Sequence, residues 1–257
     1  MSRKRLRSDI AYSTADRIVV RGFDLVDLIG NVSLGDVAFL ELKGRLPTRR
    51  ESIVFNAITV TLVEHGPTPS AIAARLTYLG APESLQGAVA AGLLGLGGRY
   101  GGTVEQVARV LQEGLAAAPD AGLREVARAI VARHRAERRL IPGLGHPTHK
   151  GADPRVPRLL QVAAENGFAG RHVELVQVLA EETSTALSRT LPVNATGAIG
   201  AIASELDIPW QVCRGLAVMA RAIGLVAHLE EELRDPLATE IWSRVEEEAS
   251  PLFHDEE

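Results

Sequence analysis

The sequence has 257 residues, of which 46% are hydrophobic and only 4% aromatic, and its formal net charge is −4. A core with so few aromatic side chains must be built from Ala, Leu, Val and Ile, which suits close-packed helices. The negative charge, without a long basic stripe, argues against a nucleic-acid-binding protein.

The single cysteine, Cys213, excludes an internal disulfide framework and leads us to expect a reducing, cytoplasmic location. The N-terminus is basic, but no apolar segment follows it, so no signal peptide is predicted. No apolar run reaches the length of a bilayer-spanning helix, and we therefore expect no membrane association.

The N-terminal quarter of the chain carries clear start and stop patterns for secondary structure. Weak alternation over 17–22 predicts a short strand, and 24–30 predicts a short helix that ends at a glycine. A helix over 33–44 should begin at a serine N-cap and end at a glycine. Thr48 and Glu51 form a capping box for the next helix, which runs to about residue 64.

The rest of the chain also reads as helices. Ser70 is predicted to cap a helix over about 71–79, and the tail from Glu246 is expected to fray. We find no internal repeat and no βαβ pattern, so the predicted fold class is all-α. Further helices are predicted at about 85–96, 101–114, 123–139, 154–166, 170–189, 196–206 and 209–232.

A loop rich in glycine and proline, from Ile141 to Arg155, concentrates groups that suit an anion or a developing charge. It contains His146, His149 and Lys150. Glycine permits unusual turns that expose backbone N–H groups, and histidine exchanges a proton near neutral pH. We interpret it as a functional loop, although a surface loop whose charges serve solubility is an open alternative. A metal site at the two histidines has too few ligands, and no metal is expected.

This loop resembles a segment of the citrate synthase superfamily. The matching residues are Gly143-Leu-Gly-His146, then Lys150, then Asp153-Pro-Arg155, and the order Gly-His-Pro-x-His-Lys is similar to short members called citryl-CoA lyases. The resemblance extends in order from Arg21 to Glu231. It implies an all-α, citrate synthase-like homodimer, with a large domain (1–104 and 198–257), a small CoA-binding domain (105–197) and the active site in the cleft between them.

The resemblance also implies roles for individual residues. His65, followed by Ser70 and Ala73-Ala-Arg75, matches the family's substrate-binding histidine, although a structural histidine is an open alternative. Arg221, in a helix that continues to His228, matches a family arginine, and Arg155 another; both are implied to bind substrate carboxylates, and paired guanidinium forks suit that task. His228 itself is expected to be structural.

For coenzyme A, the resemblance implies an adenine pocket lined by Pro142, Gly143, Leu144 and Gly145. Lys150 would lie near the phosphates of CoA. His146 is implied to be catalytic.

Two positions depart from the family pattern. Tyr100-Gly-Gly102 stands where the family has His-Gly-Gly, and a tyrosine hydroxyl can still donate to an enolate oxygen, unless Tyr100 only packs at a helix start. Thr196, in Asn194-Ala-Thr196, stands where the family has its catalytic aspartate. A threonine hydroxyl is no base near neutral pH without another base to activate it.

Three functions therefore compete. The first is a CoA-dependent carbon–carbon lyase that cleaves a 3-hydroxy-acyl-CoA such as citryl-CoA to acetyl-CoA and a keto acid. The second is a citrate synthase-like condensing enzyme. The third is a non-catalytic acyl-CoA binder or a hydrolase of another carbon–carbon bond.

Overall fold

The computed structural model describes residues 7–145 and 153–249. A small antiparallel sheet lies at the N-terminus, with β1 (Ala11–Ser13), β2 (Ile18–Val20) and β3 (Phe23–Asp24) in sequential order. Val20 lies opposite both Ala11 and Phe23. The short strand predicted within 17–22 is confirmed as β2.

The rest of the described chain is mainly helical, which confirms the all-α prediction. A single π-helical turn, Gly97–Gly101, joins α5 to α6. The helices are α1 (Leu25–Leu28), α2 (Leu34–Lys43), α3 (Arg49–Val63), α4 (Pro69–Gly80), α5 (Leu85–Leu94), α6 (Gly102–Ala117), α7 (Leu123–Ala136), α8 (Arg155–Glu165), α9 (Arg171–Leu187), α10 (Ala195–Glu205), α11 (Trp210–Arg234) and α12 (Ala238–Ala249).

The predicted caps of α2 and α3 are confirmed. The Ser33 hydroxyl accepts a hydrogen bond from the backbone N of Asp36, and Gly44 ends α2 with φ of 72°. Thr48 and Glu51 form both bonds of the capping box that starts α3. Two other predictions were wrong. Thr68 is the N-cap of α4, so Ser70 lies inside that helix, and residues 246–249, which were expected to fray, belong to α12. The rest of the tail that was expected to fray, 250–257, lies outside the described residues.

The main core surrounds α10, of whose eleven residues nine are buried. Gly200 lets α10 approach α6, because a Cβ there would lie only 2.7 Å from a methyl of Val107. Phe39 and Phe55 pack edge to face with 5.4 Å between ring centroids. A smaller cluster joins α4, α5 and α11 through Ala71, Ala74, Ala88, Leu225 and Leu229.

The longest helix, α11, corrects one expectation from the sequence. By length and composition it could cross a membrane, although we found no such run in the sequence. In the fold α11 packs against α3, α4, α5 and α6, and 44% of its most apolar window is buried. The division into two domains near residues 104 and 197 stays a prediction.

Candidate active site

The carboxylate of Glu64, just beyond the C-terminus of α3, accepts hydrogen bonds from four donors. Its Oε1 accepts hydrogen bonds from the backbone N of His65 at 2.7 Å and of Gly66 at 2.8 Å. Arg221 Nη1 and His228 Nε2, both on α11, each lie 3.1 Å from the same oxygen. Burial acts to raise the pKa of Glu64, but the bonds from His65 and His228 and the charge of Arg221 lower it below its usual value.

Arg221 is buried, with 7% of its surface exposed. Its Nη1 is bonded to Glu64, whereas its buried Nε has no hydrogen-bond partner in the part of the chain that the structure describes. Gly224, one turn later, permits this approach of α11 to the end of α3, because a Cβ there would collide with the carbonyl oxygen of Val63. A buried guanidinium with an unsatisfied donor is costly, and a ligand carboxylate would satisfy it.

Behind this group lies the guanidinium of Arg75, which is fully buried on α4. It donates to Glu232 at 2.5 Å, forms an ion pair with Glu231 and lies 2.9 Å from His228 Nδ1. Glu232 also accepts from the backbone N of Ala238 at 2.7 Å, which holds the start of α12. The expectation that His228 is structural is consistent with this place between Arg75 and Glu64.

A second group lies at the N-terminus of α10. Arg155 donates to Asp153 from Nε at 3.0 Å and from Nη2 at 2.8 Å, a bidentate pair. Asp153 is buried and also accepts from the backbone N of Ala195 at 3.1 Å. Burial acts to raise the pKa of Asp153, but the Arg155 and Ala195 hydrogen bonds lower it to about 2.

The segment predicted to bind CoA is attached to the same helix end. Gly143 accepts at its carbonyl from the backbone N of Asn194 at 2.9 Å, and Gly145 donates to Pro192 at 2.8 Å. The Asn194 side chain donates to the carbonyl of Gly145 at 2.6 Å, and Leu144 forms an antiparallel bridge with Val193. Hydrogen bonds therefore join residues 143–145 directly to the turn before α10.

Gly143 leaves no room for a side chain. It has φ of 83°, and a Cβ there would lie 2.6 Å from a Val107 methyl and 2.8 Å from the Cα of Gly197. Both the backbone conformation and the space require glycine.

Thr196 lies in the first turn of α10. Its hydroxyl donates to the Asn194 side-chain oxygen at 2.8 Å, and that oxygen also accepts from the backbone N of Gly197. Because the hydroxyl hydrogen is used in this bond, the Thr196 oxygen can serve any further partner only as an acceptor. Among the described residues, the side chain that forms a hydrogen bond with the Thr196 hydroxyl is the amide of Asn194, so no neighbouring carboxylate is bonded to Thr196 to act as its base.

Tyr100 lies in the π-helical turn between α5 and α6, and 47% of its surface is exposed. The next residue, Gly101, packs against Ala217 of α11, because a Cβ there would lie 3.3 Å from the Ala217 methyl. The sequence did not predict this turn. A π-helical turn inside a helix often marks a functional site.

The structure thus brings the predicted residues together in two groups. One holds His65 and Arg221 around Glu64, and the other holds Arg155, Thr196 and the 142–145 segment around the start of α10. No hydrogen bond or ion pair among the described residues links Arg221 with Arg155. Convergence of His65, Arg155 and Arg221 on one pocket therefore stays a prediction.

The remaining sequence predictions concern three residues of the 141–155 loop and the absence of a metal site. His146, His149 and Lys150 lie outside the described residues. Within 7–145 and 153–249, no group of three or more His, Cys, Asp or Glu side chains could hold a metal ion. Glu64 and Asp153 were not predicted to bind substrate. In the sequence, the signals that could have indicated them are the position of Glu64 beside His65 and that of Asp153 in the Asp-Pro-Arg motif.

Comparison with known proteins identifies the class. A family model described as the C-terminal domain of citrate synthase matches residues 49–242, and the chain therefore belongs to the citrate synthase family. It is 37% identical to the citryl-CoA lyase of Hydrogenobacter thermophilus, over 90% of this chain and 88% of that one, with a TM-score of 0.82.

Longer relatives are also similar to this chain. The probable ATP-citrate synthase subunit 1 of Schizosaccharomyces pombe is 27% identical over 81% of this chain, which spans only 35% of that relative's length. The ATP citrate lyase of Methanosaeta concilii, solved in complex with (3S)-citryl-CoA, has a TM-score of 0.75 at 23% identity, which shows a shared fold. The resemblance stated from the sequence is thereby confirmed.

Proposed function

We propose that this protein is a CoA-dependent carbon–carbon lyase that cleaves a 3-hydroxy-acyl-CoA such as citryl-CoA to acetyl-CoA and a keto acid. The buried Arg221 guanidinium carries the proposal, because its Nε lacks an acceptor among the described residues and a substrate carboxylate supplies one. The similarity to a citryl-CoA lyase over nearly the whole of both chains supports the same reaction class.

The proposed cleavage begins at the 3-hydroxyl, which His146 deprotonates. The bond between C2 and C3 then breaks, the keto acid leaves with the new carbonyl, and the electron pair remains on the thioester as an enolate. Tyr100 donates a hydrogen bond to the enolate oxygen. The enolate carbon takes its proton from a water that donates its other hydrogen to the Thr196 oxygen, and the protonated His146 returns its proton to the hydroxide left behind. This water is weaker help than a carboxylic acid offers.

CoA is the proposed acyl carrier, and no metal takes part. The segment Pro142, Gly143, Leu144 and Gly145 would line the adenine pocket, and Lys150 would lie near the phosphates. The hydrogen bonds of Asn194 support the assignment, because its side chain bonds both to the carbonyl of Gly145 and to the hydroxyl of Thr196.

Condensation of acetyl-CoA with a keto acid is a weaker proposal, because that direction needs a base for the α-proton. A non-catalytic acyl-CoA binder, or a hydrolase of another carbon–carbon bond, is the second candidate. One observation favours it: the Thr196 hydroxyl is engaged with Asn194 and is no base.

The test is incubation of the pure protein with citryl-CoA, with free keto acid and acetyl-CoA measured separately. We expect both products, and a loss of most activity in Arg221→Gln, while Arg244→Gln, an exposed arginine paired with Glu240, serves as the matched control. Ligand class is tested apart from turnover. CoA at about 100 times its Kd should add about 2.7 kcal/mol of stability, and no shift in Tm at millimolar CoA or acetyl-CoA contradicts the assignment.

We also infer a homodimer. Apolar side chains are exposed along α11 and α12, including Ile223, Val226, Leu233 and Trp242. A surface of this kind marks a protein–protein contact. Light scattering after size-exclusion chromatography measures the mass, and a monomer at micromolar concentration contradicts the inference.

A cytoplasmic location is proposed from the single thiol. Cys213 is buried, and burial raises its pKa to about 12, so it forms no reactive thiolate. Cell fractionation tests the location.

A further inference from the structure

Three residues form a chain of hydrogen bonds that ends at the predicted substrate arginine. Arg75 contacts His228 Nδ1 from Nη2 at 2.9 Å and from Nε at 3.3 Å. His228 Nε2 lies 3.1 Å from Glu64 Oε1, and Arg221 Nη1 lies 3.1 Å from the same oxygen. Arg75 is fully buried, and 11% of the His228 side chain is exposed.

The chemistry of the partners decides the direction of these bonds. An arginine only donates, so Nδ1 of His228 must accept from Arg75. The carboxylate of Glu64 only accepts, so Nε2 of His228 must carry the hydrogen. His228 is therefore held as the neutral Nε2–H tautomer, and its hydrogen bond orients Glu64.

Glu64 in turn selects which edge of Arg221 stays open to a ligand. It occupies Nη1, and no hydrogen bond among the described residues occupies Nε or Nη2. Arg155, elsewhere in this protein, shows that the Nε–Nη2 edge of an arginine can bind a carboxylate, because it binds Asp153 through its own Nε and Nη2. The planar fork matches a carboxylate in this way.

We propose that Glu64 is a positioning residue for the substrate carboxylate, held by Arg75 and His228 and aiming the Nε–Nη2 edge of Arg221 at the ligand. It touches no reacting atom in this role. The inference rests on the proposed function, since it names the residue that prepares that site. Its backbone partners, His65 and Gly66, link the same carboxylate to the second predicted substrate ligand.

The role differs from that of a general base. Four donors converge on Oε1 of Glu64, and such a carboxylate binds a proton weakly. Positioning predicts a change in substrate affinity, whereas loss of a base predicts a change in kcat at constant KM. The two roles are therefore separable by experiment.

The test compares Glu64→Ala and Glu64→Gln with wild type, with Glu230→Ala as the control, since the one partner of Glu230 among the described residues is the exposed Arg234 on the same helix. Citrate serves as the probe, and its Kd is measured by calorimetry without turnover. We expect Glu64→Ala to weaken binding at least about tenfold, because a hydrogen bond to a charged group is lost. Glu64→Gln keeps an acceptor oxygen and should stay within about threefold of wild type.

The kinetic arm uses citryl-CoA. We expect KM to rise in Glu64→Ala with kcat within about threefold of wild type, and a near-normal KM in Glu64→Gln. A fall of kcat by about 100-fold in Glu64→Gln at unchanged KM makes Glu64 a base and overturns the proposal. Unchanged citrate affinity in Glu64→Ala also overturns it and leaves the proposed function standing. If wild type binds no citrate and cleaves no citryl-CoA, both fail together.

A spectroscopic measurement tests the chain of bonds without any ligand. Long-range ¹H–¹⁵N correlation of histidine-labelled protein, with His228→Gln for assignment, should show the Nε2–H tautomer of His228. Protonation at Nδ1 overturns the arrangement even when all variants remain folded.

Discussion

The replacement Asp153→Asn tests whether a buried carboxylate holds Arg155 and the start of α10 in place. Asp153 accepts from the Arg155 side chain and backbone and from the Ala195 backbone, and its pKa is about 2 against an ordinary value of 3.8. That difference, at 1.36 kcal/mol per pKa unit, corresponds to about 2.5 kcal/mol of folded-state stabilisation. Asparagine keeps the shape but removes the charge.

The sign of the pH dependence follows from the lowered pKa. The carboxylate is favoured in the folded state, so the contribution is complete above the unfolded pKa of about 4 and is lost as pH falls toward 2. At pH 7 the variant should lose about 2.5 kcal/mol, or roughly 5–10 °C in Tm for a chain of this size. At pH 3 about half of the difference should remain.

The assay is thermal unfolding of wild type and Asp153→Asn by circular dichroism from pH 7 to pH 2.5. The exposed Asp120, replaced in the same way, is the matched control and should change Tm little. A difference of less than about 0.5 kcal/mol at pH 7, which is typical of surface changes, refutes the reasoning. A difference that does not shrink at low pH refutes the assignment to the charge of Asp153.

Two further predictions concern the site. Thr196→Asp should raise deuterium exchange at the α-carbon of acetyl-CoA by about 10²–10⁴-fold, and Tyr100→His should raise it further, though not additively. Exchange in wild type as fast as in the double variant, measured by NMR, means that another residue is the base. Gly143→Ala should abolish CoA binding or folding, because a Cβ meets Gly197 at 2.8 Å. Gly30 also has a positive φ, but a Cβ there would meet no atom within 4 Å, so Gly30→Ala should lower Tm less. Equal losses of Tm in the two variants contradict the steric argument.

The sequence by itself determined the local structure of this protein well. The caps at Ser33 and at Thr48 with Glu51 follow from bonds that span three residues, so their chemistry is visible in the printed order. The helical fold and the family could also be predicted, because the Gly-x-Gly-His motif and the Asp-Pro-Arg motif that follows it have the spacing of the family. The helix at 238–249 was missed, because part of what holds it is distant: Glu232 caps its start and is paired with Arg75 on α4.

Only the tertiary structure decided how the charges are paired. Glu64 meets Arg221 and His228 across 157 and 164 residues, and no spacing rule reaches that far. The same packing buries part of the apolar α11, whose length and composition alone do not distinguish a core helix from a membrane-spanning one. It also sets the tautomer of His228, since a ring nitrogen acquires its role only when a donor and an acceptor stand on its two sides.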